Sequence, residues 1–205
     1  MATAMEFEEL VRAILAVPVS APGAVRLVAV DGPGGSGKST FAARLARWAG
    51  DAPVVHTDDF ASWDEPLSWW PRMLAQVIDP LRSGEPAHYQ RYDWVDRALA
   101  EWHTIVPVPI VIIEGVSSAR REWREHLAFV CWMETGREVR LRRGLDRDGE
   151  DALPLWNEWM ANEDRHFAGD DSRVAADVVV DGDPREPHDA EATFVVVERR
   201  SVRRP

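Results

Sequence analysis

The sequence predicts an α/β fold, with a parallel β-sheet core flanked by helices. Short β-rich apolar runs alternate with longer runs of helical periodicity along the 205 residues, a pattern typical of parallel strands joined by helical crossovers. A glycine-rich turn at residues 32–40 joins one such apolar run to a helical run, the connection that a parallel sheet requires. Because no linker is long enough to separate two domains, we expect a single domain over residues 1–205.

Five elements are predicted in the first half of the chain. Apolar residues at helical spacing, with Pro18 beyond them, predict an amphipathic helix over residues 6–16. Residues 25–31 (VRLVAVD) are almost all apolar, as in a strand that is buried on both faces of a parallel sheet. The remaining three elements are a helix at residues 38–48, a short strand at 53–56 and a helix at 66–81.

The second half begins with a polar, turn-rich stretch at residues 82–93, which is followed by a predicted helix at 94–102. Residues 109–113 (PIVII) give the clearest central-strand pattern of the chain, and Glu114 and Gly115 come directly after it. The later elements are a strand at 127–133, an arginine-rich helix at 137–145, a helix at 155–167, a strand at 177–180 and an edge strand at 193–197.

Composition and charge exclude several classes of protein. The net charge of −11 argues against broad nucleic-acid binding, which needs a basic surface. No apolar run approaches the roughly 20 residues of a spanning helix, so no membrane association is expected. The single cysteine, Cys131, and an acidic N-terminus unlike a secretion signal favour a cytoplasmic protein. The ten tryptophans suit either a pocket for a flat ligand or an interface, which leaves a homo-oligomer open.

Residues 32–39 (GPGGSGKS) match the phosphate-binding pattern G-x-x-x-x-G-K-[ST]. Glycines let the backbone curl so that successive N–H groups point at phosphate oxygens, and the following helix adds its positive N-terminal end. Lys38 can reach the β- and γ-phosphates, and the Ser39 hydroxyl can ligate Mg²⁺. ATP and Mg²⁺ are therefore the expected cofactors. The expected nucleotide-binding residues are Gly32, Gly34, Gly35, Ser36, Gly37, Lys38, Ser39 and Thr40.

Carboxylates follow two further strands of the predicted sheet. Residues 53–56 lead to Asp58 and Asp59, and the central strand leads to Glu114. In open α/β sheets ligands bind beyond the carboxyl ends of the strands, where a carboxylate can accept the proton of an attacking hydroxyl or help to hold the metal. Asp58 or Asp59 is therefore the candidate base. The structural alternative for each aspartate is an Asx-type turn or a helix cap.

An arginine-rich segment follows the strand at residues 127–133. Phosphoryl transfer needs positive charge over the γ-phosphate together with exclusion of water, and a mobile arginine-bearing lid over about residues 136–150 would supply both. A helix presents only one face to the site, so some of these arginines are expected to pair with acids at the surface. Arg143 and Arg147, four residues apart, can share a face and are the candidate catalytic cations.

The order of these motifs resembles the uridine kinase-like family of P-loop kinases, which is related to phosphoribulokinase and pantothenate kinase. The resemblance runs over residues 25–182 and includes VAVDGPGGSGKST, HTDDF, the WDEP turn, YDW, IIEG and an RR-x-L-x-RD lid. It implies a P-loop NTPase fold of the nucleoside- and nucleotide-kinase type with an arginine-rich lid. It also implies ATP-dependent phosphoryl transfer to an alcohol group.

The resemblance also implies roles for single residues. Asp58 matches the family's general base toward a sugar 5′-hydroxyl, and Asp64 resembles the aspartate that bonds the ribose hydroxyls. Tyr92 and Trp94 match aromatic residues beside the nucleobase. Glu114 matches a glutamate near the metal and the substrate, so Ser39 and Glu114 are the implied metal-binding pair. Arg143 and Arg147 resemble lid arginines that contact phosphates.

Arg97 departs from the family's pattern. It stands three residues after Trp94, where the family's Y-D-F-x-x-H pattern has a histidine that reads the pyrimidine. Arginine has five donors, no acceptor and a fixed charge, which suit a carboxylate, a phosphate or a carbonyl-rich ring. The alternative is that Arg97 is a surface residue of a helix.

Three functions are compatible with these motifs. The first is a kinase that transfers the γ-phosphate of ATP to the hydroxyl of a small-molecule acceptor, with a nucleoside as the first expectation. The second is a kinase of another acceptor, such as a sugar, a pantothenate-like acid or a natural product. The third is a nucleotide-dependent switch or ATPase, for which the sequence offers no convincing switch segment.

Overall fold

The computed structural model describes residues 3–19, 24–62 and 67–200. Its strands are β1 (Thr3–Glu6), β2 (Arg26–Asp31), β3 (Val54–His56), β4 (Ala87–Asp93), β5 (Ala98–Ile105), β6 (Ile110–Glu114), β7 (Leu127–Glu134), β8 (Val178–Asp181) and β9 (Thr193–Arg199). Its helices are α1 (Phe7–Leu15), α2 (Lys38–Trp48), α3 (Trp70–Met73), α4 (Asp79–Arg82), α5 (Arg137–Asp148), α6 (Leu153–Asp170) and α7 (Ser172–Ala175). A π-helical turn (Leu74–Ile78) joins α3 to α4.

Seven strands form the central sheet in the order β1-β9-β8-β7-β2-β6-β3. β2 pairs in parallel with both β6 and β7, and β3 and β8 extend this parallel core on its two sides. β9 and β1 run antiparallel at one end. In the register, His56 lies opposite Glu114, and Glu134 lies opposite Asp181. The carboxyl ends of the parallel strands therefore meet at one edge, which is where the candidate site lies.

The core fills both faces of the sheet because successive β-strand residues point to opposite faces. Val28 and Val30 of β2 pack in one apolar cluster with Leu45 of α2. Leu27, on the other face, packs in a second cluster that includes Met73 of α3. Each fully buried aliphatic side chain contributes roughly 1.5–3 kcal/mol, so a strand of this pattern holds the glycine-rich turn that follows it in a fixed position.

The sequence correctly predicts nine of these elements. The structure confirms the helices predicted at residues 6–16, 38–48, 137–145 and 155–167 and the strands predicted at residues 25–31, 53–56, 109–113 and 127–133, each within a few residues. Residues 177–180 are also confirmed as a strand, β8. The helix predicted at 66–81 begins at Trp70 and contains the π-helical turn; residues 63–66 lie outside the described part of the chain.

The helix predicted at residues 94–102 is wrong. This segment forms a hairpin with the preceding stretch, in which β4 and β5 pair antiparallel. The carboxylate of Asp93 accepts the N–H groups of Val95 at 2.9 Å and Asp96 at 3.0 Å, which fixes the turn. Arg97 follows in the left-handed region with φ 52°. The apolar residues whose spacing suggests a helix do not form one buried face, since Trp102 is 62% exposed.

The edge strand predicted at residues 193–197 is also corrected. β9 lies inside the sheet between β8 and β1, and the N-terminal strand β1 forms the edge. Four residues with only Met5 buried are too short a pattern to read as a strand from sequence. Across the described ranges, no helix combines the length and the apolar character that a bilayer span needs.

Candidate active site

The glycine-rich turn forms a loop between β2 and α2, and we call residues 32–40 the phosphate loop. Gly37, with φ 94°, precedes the first turn of α2. The Ser36 N–H donates to the Pro33 carbonyl at 3.2 Å, and the Lys38 ammonium donates to the same carbonyl at 3.0 Å. Lys38 is only 7% exposed. The loop thus holds the Lys38 ammonium close to the N-terminus of α2. This arrangement of backbone N–H groups and a cation suits a polyphosphate.

Gly35 has no room for a side chain. Its φ is +75°, and an added Cβ would lie 2.6 Å from the carbonyl oxygen of Arg140 in α5. We expect Gly35→Ala to lower the melting temperature by roughly 2–8 °C, since the left-handed conformation alone costs a residue with a Cβ about 1–2 kcal/mol. The displaced loop should also bind ATP more weakly, which calorimetric titration would measure.

Gly50→Ala is the matched control for this prediction. Gly50 has the same φ of +75°, but an added Cβ there meets nothing within 4 Å. This variant should show the cost of the conformation alone and keep ATP affinity. Equal ATP affinity in Gly35→Ala and Gly50→Ala would contradict the packing of Arg140 against the loop.

Asp31, the last residue of β2, anchors the phosphate loop to the segment after β6. Its carboxylate accepts the N–H groups of Gly32 at 2.6 Å, Ser117 at 2.9 Å and Ala119 at 2.9 Å. Burial raises the pKa of Asp31 to about 6, although these N–H groups and the charge of Lys38 act in the opposite direction. The sequence motifs give Asp31 no role, although a charge at the end of an almost entirely apolar strand is an available signal.

A cavity of about 1040 Å³ opens at the carboxyl edge of the sheet. On one side the phosphate loop lines it with Gly34, Gly35, Gly37, Lys38, Ser39 and Thr40. Carboxylates and aromatic rings also line the cavity: Asp58, Trp94, Glu114, Trp156 and Trp159. Arg143 and Arg147 of α5 complete the wall, together with Asp181 and Gly182 after β8. The sheet edge thus brings most of the sequence-predicted site residues around one space.

Asp58 and Asp59 lie in a 3-10 turn directly after β3 and have different surroundings. Asp58 is accessible from the cavity, and the Trp94 indole donates to its carbonyl oxygen at 3.1 Å. The surrounding protein raises the pKa of Asp58 by desolvation, while the charge of Lys38 lowers it. The Asp59 carboxylate instead accepts the Tyr89 hydroxyl at 3.1 Å. Of the two candidate bases, the geometry favours Asp58.

Glu114 bridges the phosphate loop and β3. One carboxylate oxygen accepts the Ser39 hydroxyl at 3.1 Å, and the other lies 2.7 Å from Nδ1 of His56. Burial acts to raise the pKa of Glu114, but the bond from His56 and the charge of Lys38 leave it lowered. The same bond raises the pKa of His56. Glu114 is therefore held as a carboxylate beside the Ser39 hydroxyl.

The Ser39–Glu114 pair fits Mg²⁺ by the chemistry of its donors. Mg²⁺ prefers hard oxygen ligands and commonly takes one or two from the protein, with phosphate and water oxygens completing its shell. The described residues contain no cluster of three or more His, Cys, Asp or Glu side chains able to hold a metal without other ligands. Ser39 and Glu114 would hold the ion, whose charge would neutralise the phosphate oxygens beside the loop.

The arginines of α5 divide between the cavity and the surface. Arg143 donates to the Gly182 carbonyl at 2.9 Å and pairs with Asp183 at 2.7 Å. Arg147 lies over the Trp156 ring at 5.6 Å and interacts electrostatically with Asp58. Arg137, by contrast, pairs with Asp164 at an exposed position. The segment predicted as a lid is thus a helix packed against the phosphate loop, and its mobility remains a prediction.

Three of the residues that the resemblance singles out are not among those that the structure places at the cavity. Asp64 lies outside the described residues. Neither Tyr92 nor Arg97 is among the described residues that line the cavity. Tyr92 packs edge-on against Trp94, with ring centroids 5.5 Å apart, and Arg97 sits exposed in the β4–β5 turn. Their proposed roles in acceptor binding stay predictions.

Helix α6 supplies site residues that sequence reasoning missed. Trp156 and Trp159 line the cavity, and the Glu163 carboxylate accepts the Gly34 N–H of the phosphate loop. The predicted helix at residues 155–167 carried no motif, so nothing in the sequence indicated which face it turns to the loop. His56 likewise has no role that the sequence assigns, although its place at the end of a predicted strand is a usable signal.

Known proteins are similar to this chain in structure, whereas the comparisons of sequence gave no match. Neither a scan of protein-family models nor a search of curated proteins gave a match. Among solved structures, the chain is similar to a protein from Bacillus stearothermophilus described as a "possible uridine kinase", with a TM-score of 0.63, 20% identity and coverage of 84% of this chain and 96% of that chain. It is also similar to a "putative fructose transport system kinase" from Silicibacter sp. TM1040, with a TM-score of 0.65, 20% identity and coverage of 81% and 95%.

These similarities confirm the predicted fold class. The chain shares an α/β fold, a mostly parallel sheet flanked by helices, with two proteins described as kinases. The first of them agrees with the resemblance to the uridine kinase-like family that the motifs carry. At 20% identity the likeness establishes the fold and leaves the acceptor open.

Proposed function

We propose that this protein is an ATP-dependent kinase of the uridine kinase-like type, which transfers the γ-phosphate to a hydroxyl group of a small molecule. The observation that carries the proposal is that the phosphate loop, the accessible carboxylate of Asp58 and the arginines of α5 line one cavity. A donor-binding loop, a candidate base and cations for the transferred charge are the parts that phosphoryl transfer requires. The proposed setting is the cytoplasm.

The phosphate loop forms the donor half of the proposed site. Its N–H groups and Lys38 would hold the β- and γ-phosphates, and Ser39 and Glu114 would hold Mg²⁺. Arg143 and Arg147 line the same cavity and add positive charge on the side of α5. These groups are fixed by bonds to the loop, to Gly182 and to Asp148. Such preorganised charge stabilises a transition state without reorganisation at the moment of reaction.

Asp58 and the indole rings that line the same cavity form the proposed acceptor half. Asp58 would accept the proton of the attacking hydroxyl, and Trp94, which donates to its carbonyl oxygen, would hold the turn in place. Trp94, Trp156 and Trp159 offer flat apolar faces of the kind on which sugar and base rings pack. The acceptor is accordingly a small hydroxylated ring compound, with a nucleoside as the first candidate.

A second candidate is a hydroxylated acceptor that is not a nucleoside. It is favoured by the position of Tyr92 and Arg97, which match the family's base-binding positions and are absent from the described cavity lining. An anionic acceptor is less well supported, because Asp58, Glu158 and Asp181 add negative charge to the cavity lining. A sugar or a natural product with several hydroxyl groups fits this lining.

A screen of acceptors by ADP release tests the proposed function. The purified chain with ATP and Mg²⁺ should release ADP slowly alone and faster with the right acceptor, and Lys38→Met should abolish the stimulation. Nucleosides, sugars and pantothenate-like acids form the three arms of the screen. ATP hydrolysis that no small acceptor stimulates would count against a kinase and favour a nucleotide-dependent switch.

The pH dependence of turnover provides a further prediction. Asp58 must be deprotonated to act as a base, and its pKa is raised above the ordinary value of 3.8. Activity is therefore present above this raised pKa and lost as pH falls through it. We expect kcat/KM for the acceptor to fall on the acid side with a midpoint clearly above 3.8 while circular dichroism shows an intact fold. A midpoint at or below 3.8 would contradict a desolvated base.

A further inference from the structure

Helix α6 contacts the phosphate loop through a buried carboxylate, Glu163. Glu163 is only 1% exposed, and its Oε1 accepts the Gly34 N–H at 2.8 Å. Its Oε2 lies 3.5 Å from Nη1 of Arg140 in α5. The Trp159 side chain also hydrogen-bonds to the same carboxylate. One carboxylate thus joins the loop, α5 and α6.

The carboxylate holds the loop from outside the cavity. Gly34 and Trp159 line the cavity, whereas Glu163 is not among the described residues that do so. A nucleotide in the cavity would therefore meet the inner side of the loop while Glu163 keeps its bond to Gly34. The Glu163 carboxylate and a bound phosphate would therefore not compete for one position.

The phosphate loop is closely packed at this contact. A Cβ added to Gly34 would lie 2.9 Å from Oε1 of Glu163 and 3.3 Å from atoms of Trp156 and Trp159. A Cβ added to Gly35 would lie 2.6 Å from the carbonyl oxygen of Arg140. Gly34 and Gly35 are therefore confined between α5 and α6.

Burying a carboxylate is costly unless donors replace its water. Burial raises the pKa of Glu163, and the Gly34 N–H, Lys38 and Arg140 act to lower it. Besides Trp159 of α6, its donors are Gly34 of the phosphate loop and Arg140 of the arginine-bearing helix, both parts of the proposed donor half. A carboxylate with only a structural role would not need partners from these two elements.

We propose that Glu163 is a positioning residue for the phosphate loop, fixing the Gly34 amide and the Arg140 guanidinium so that the loop is preformed for a polyphosphate. This inference rests on the proposed nucleotide binding. On this proposal, affinity for the phosphates also depends on Glu163, a residue of α6 that is not among the described residues lining the cavity. Without this anchor, ATP binding must itself order the loop, which weakens the affinity.

Calorimetric titration with ATP·Mg²⁺ and with inorganic tripolyphosphate tests the proposal. Glu163→Ala removes all three contacts of the carboxylate and should weaken the binding of both probes by about 10-fold or more, the scale of one charge-assisted hydrogen bond. Glu163→Gln keeps an acceptor for Gly34 but loses the charge beside Arg140, so its affinity should lie between those of wild type and Glu163→Ala. Asp164→Asn, at the neighbouring exposed residue that pairs with Arg137, is the control and should bind as wild type does.

The outcomes separate positioning from simple support of the fold. If Glu163 only stabilises the fold, its variants melt at lower temperature but, while folded, bind ATP within about 2-fold of wild type; this would overturn the proposal. A loss for ATP that tripolyphosphate does not share would also overturn it. If Glu163→Ala does not fold, Glu163→Gln and Asp164→Asn decide, and equal affinities refute the proposal. Failure of the wild-type chain to bind ATP would instead refute the proposed function.

Discussion

Replacing Lys38 by methionine is expected to lower kcat/KM for ATP by about 10²–10³-fold, the usual effect of removing one preorganised group at a transition state. Methionine keeps the length and the apolar stem of the side chain and removes only the ammonium. That ammonium is held by the Pro33 carbonyl at 3.0 Å, and its charge acts on Asp58 and Glu114. Its loss removes the cation that would face the β- and γ-phosphates.

Turnover by ADP release and ATP affinity by calorimetry measure this effect. Arg47→Met, which removes an exposed cation from the same helix, is the control and should leave both unchanged. Lys38 is also the only lysine of the chain, so an amine-reactive label should reach one side chain, and ATP·Mg²⁺ should protect it. Labelling of Lys38 at the same rate with and without ATP would contradict its place beside the phosphates.

Replacing Asp58 by asparagine is expected to lower turnover of the acceptor by about 10²–10⁴-fold, the range for loss of a general base. Asparagine has nearly the same shape and cannot take the proton of the attacking hydroxyl. ATP affinity should change little, because the phosphate loop holds the donor independently. The effect should therefore appear in kcat and not in the Kd for ATP.

Asp59→Asn is the matched control for Asp58→Asn. Asp59 is the adjacent aspartate of the same turn, and its carboxylate accepts the Tyr89 hydroxyl. It is not one of the described residues that line the cavity, so turnover should fall far less than in Asp58→Asn. If Asp59→Asn were the more damaging substitution, the base would have been assigned to the wrong aspartate.

The parallel core of the fold was predictable because its signals are local. Buried strands such as β2 and β6 are continuous apolar runs, and the phosphate loop is a fixed pattern between a strand and a helix. The β4–β5 hairpin was not predictable in this way. Its strands face solvent on much of both sides, so their apolar residues follow no clean period of two.

The candidate site was predictable where topology alone brings residues together. Asp58 and Glu114 follow neighbouring parallel strands, and the register that places His56 opposite Glu114 follows from the same topology. Glu163 could not be found this way. It lies 129 residues from Gly34 in the chain, and which face of α6 meets the loop is decided by tertiary packing. Residues of this kind carry no motif.

The proposed function requires that one cavity hold a phosphoryl donor at the phosphate loop and a hydroxyl acceptor at Asp58. Phosphorus NMR of the chain with ATP, Mg²⁺ and an acceptor that stimulates ADP release measures the transfer itself. We expect a phosphomonoester signal that grows in step with ADP in the wild-type chain and is nearly absent in Asp58→Asn. Growth of inorganic phosphate alone, with no phosphomonoester, would contradict it.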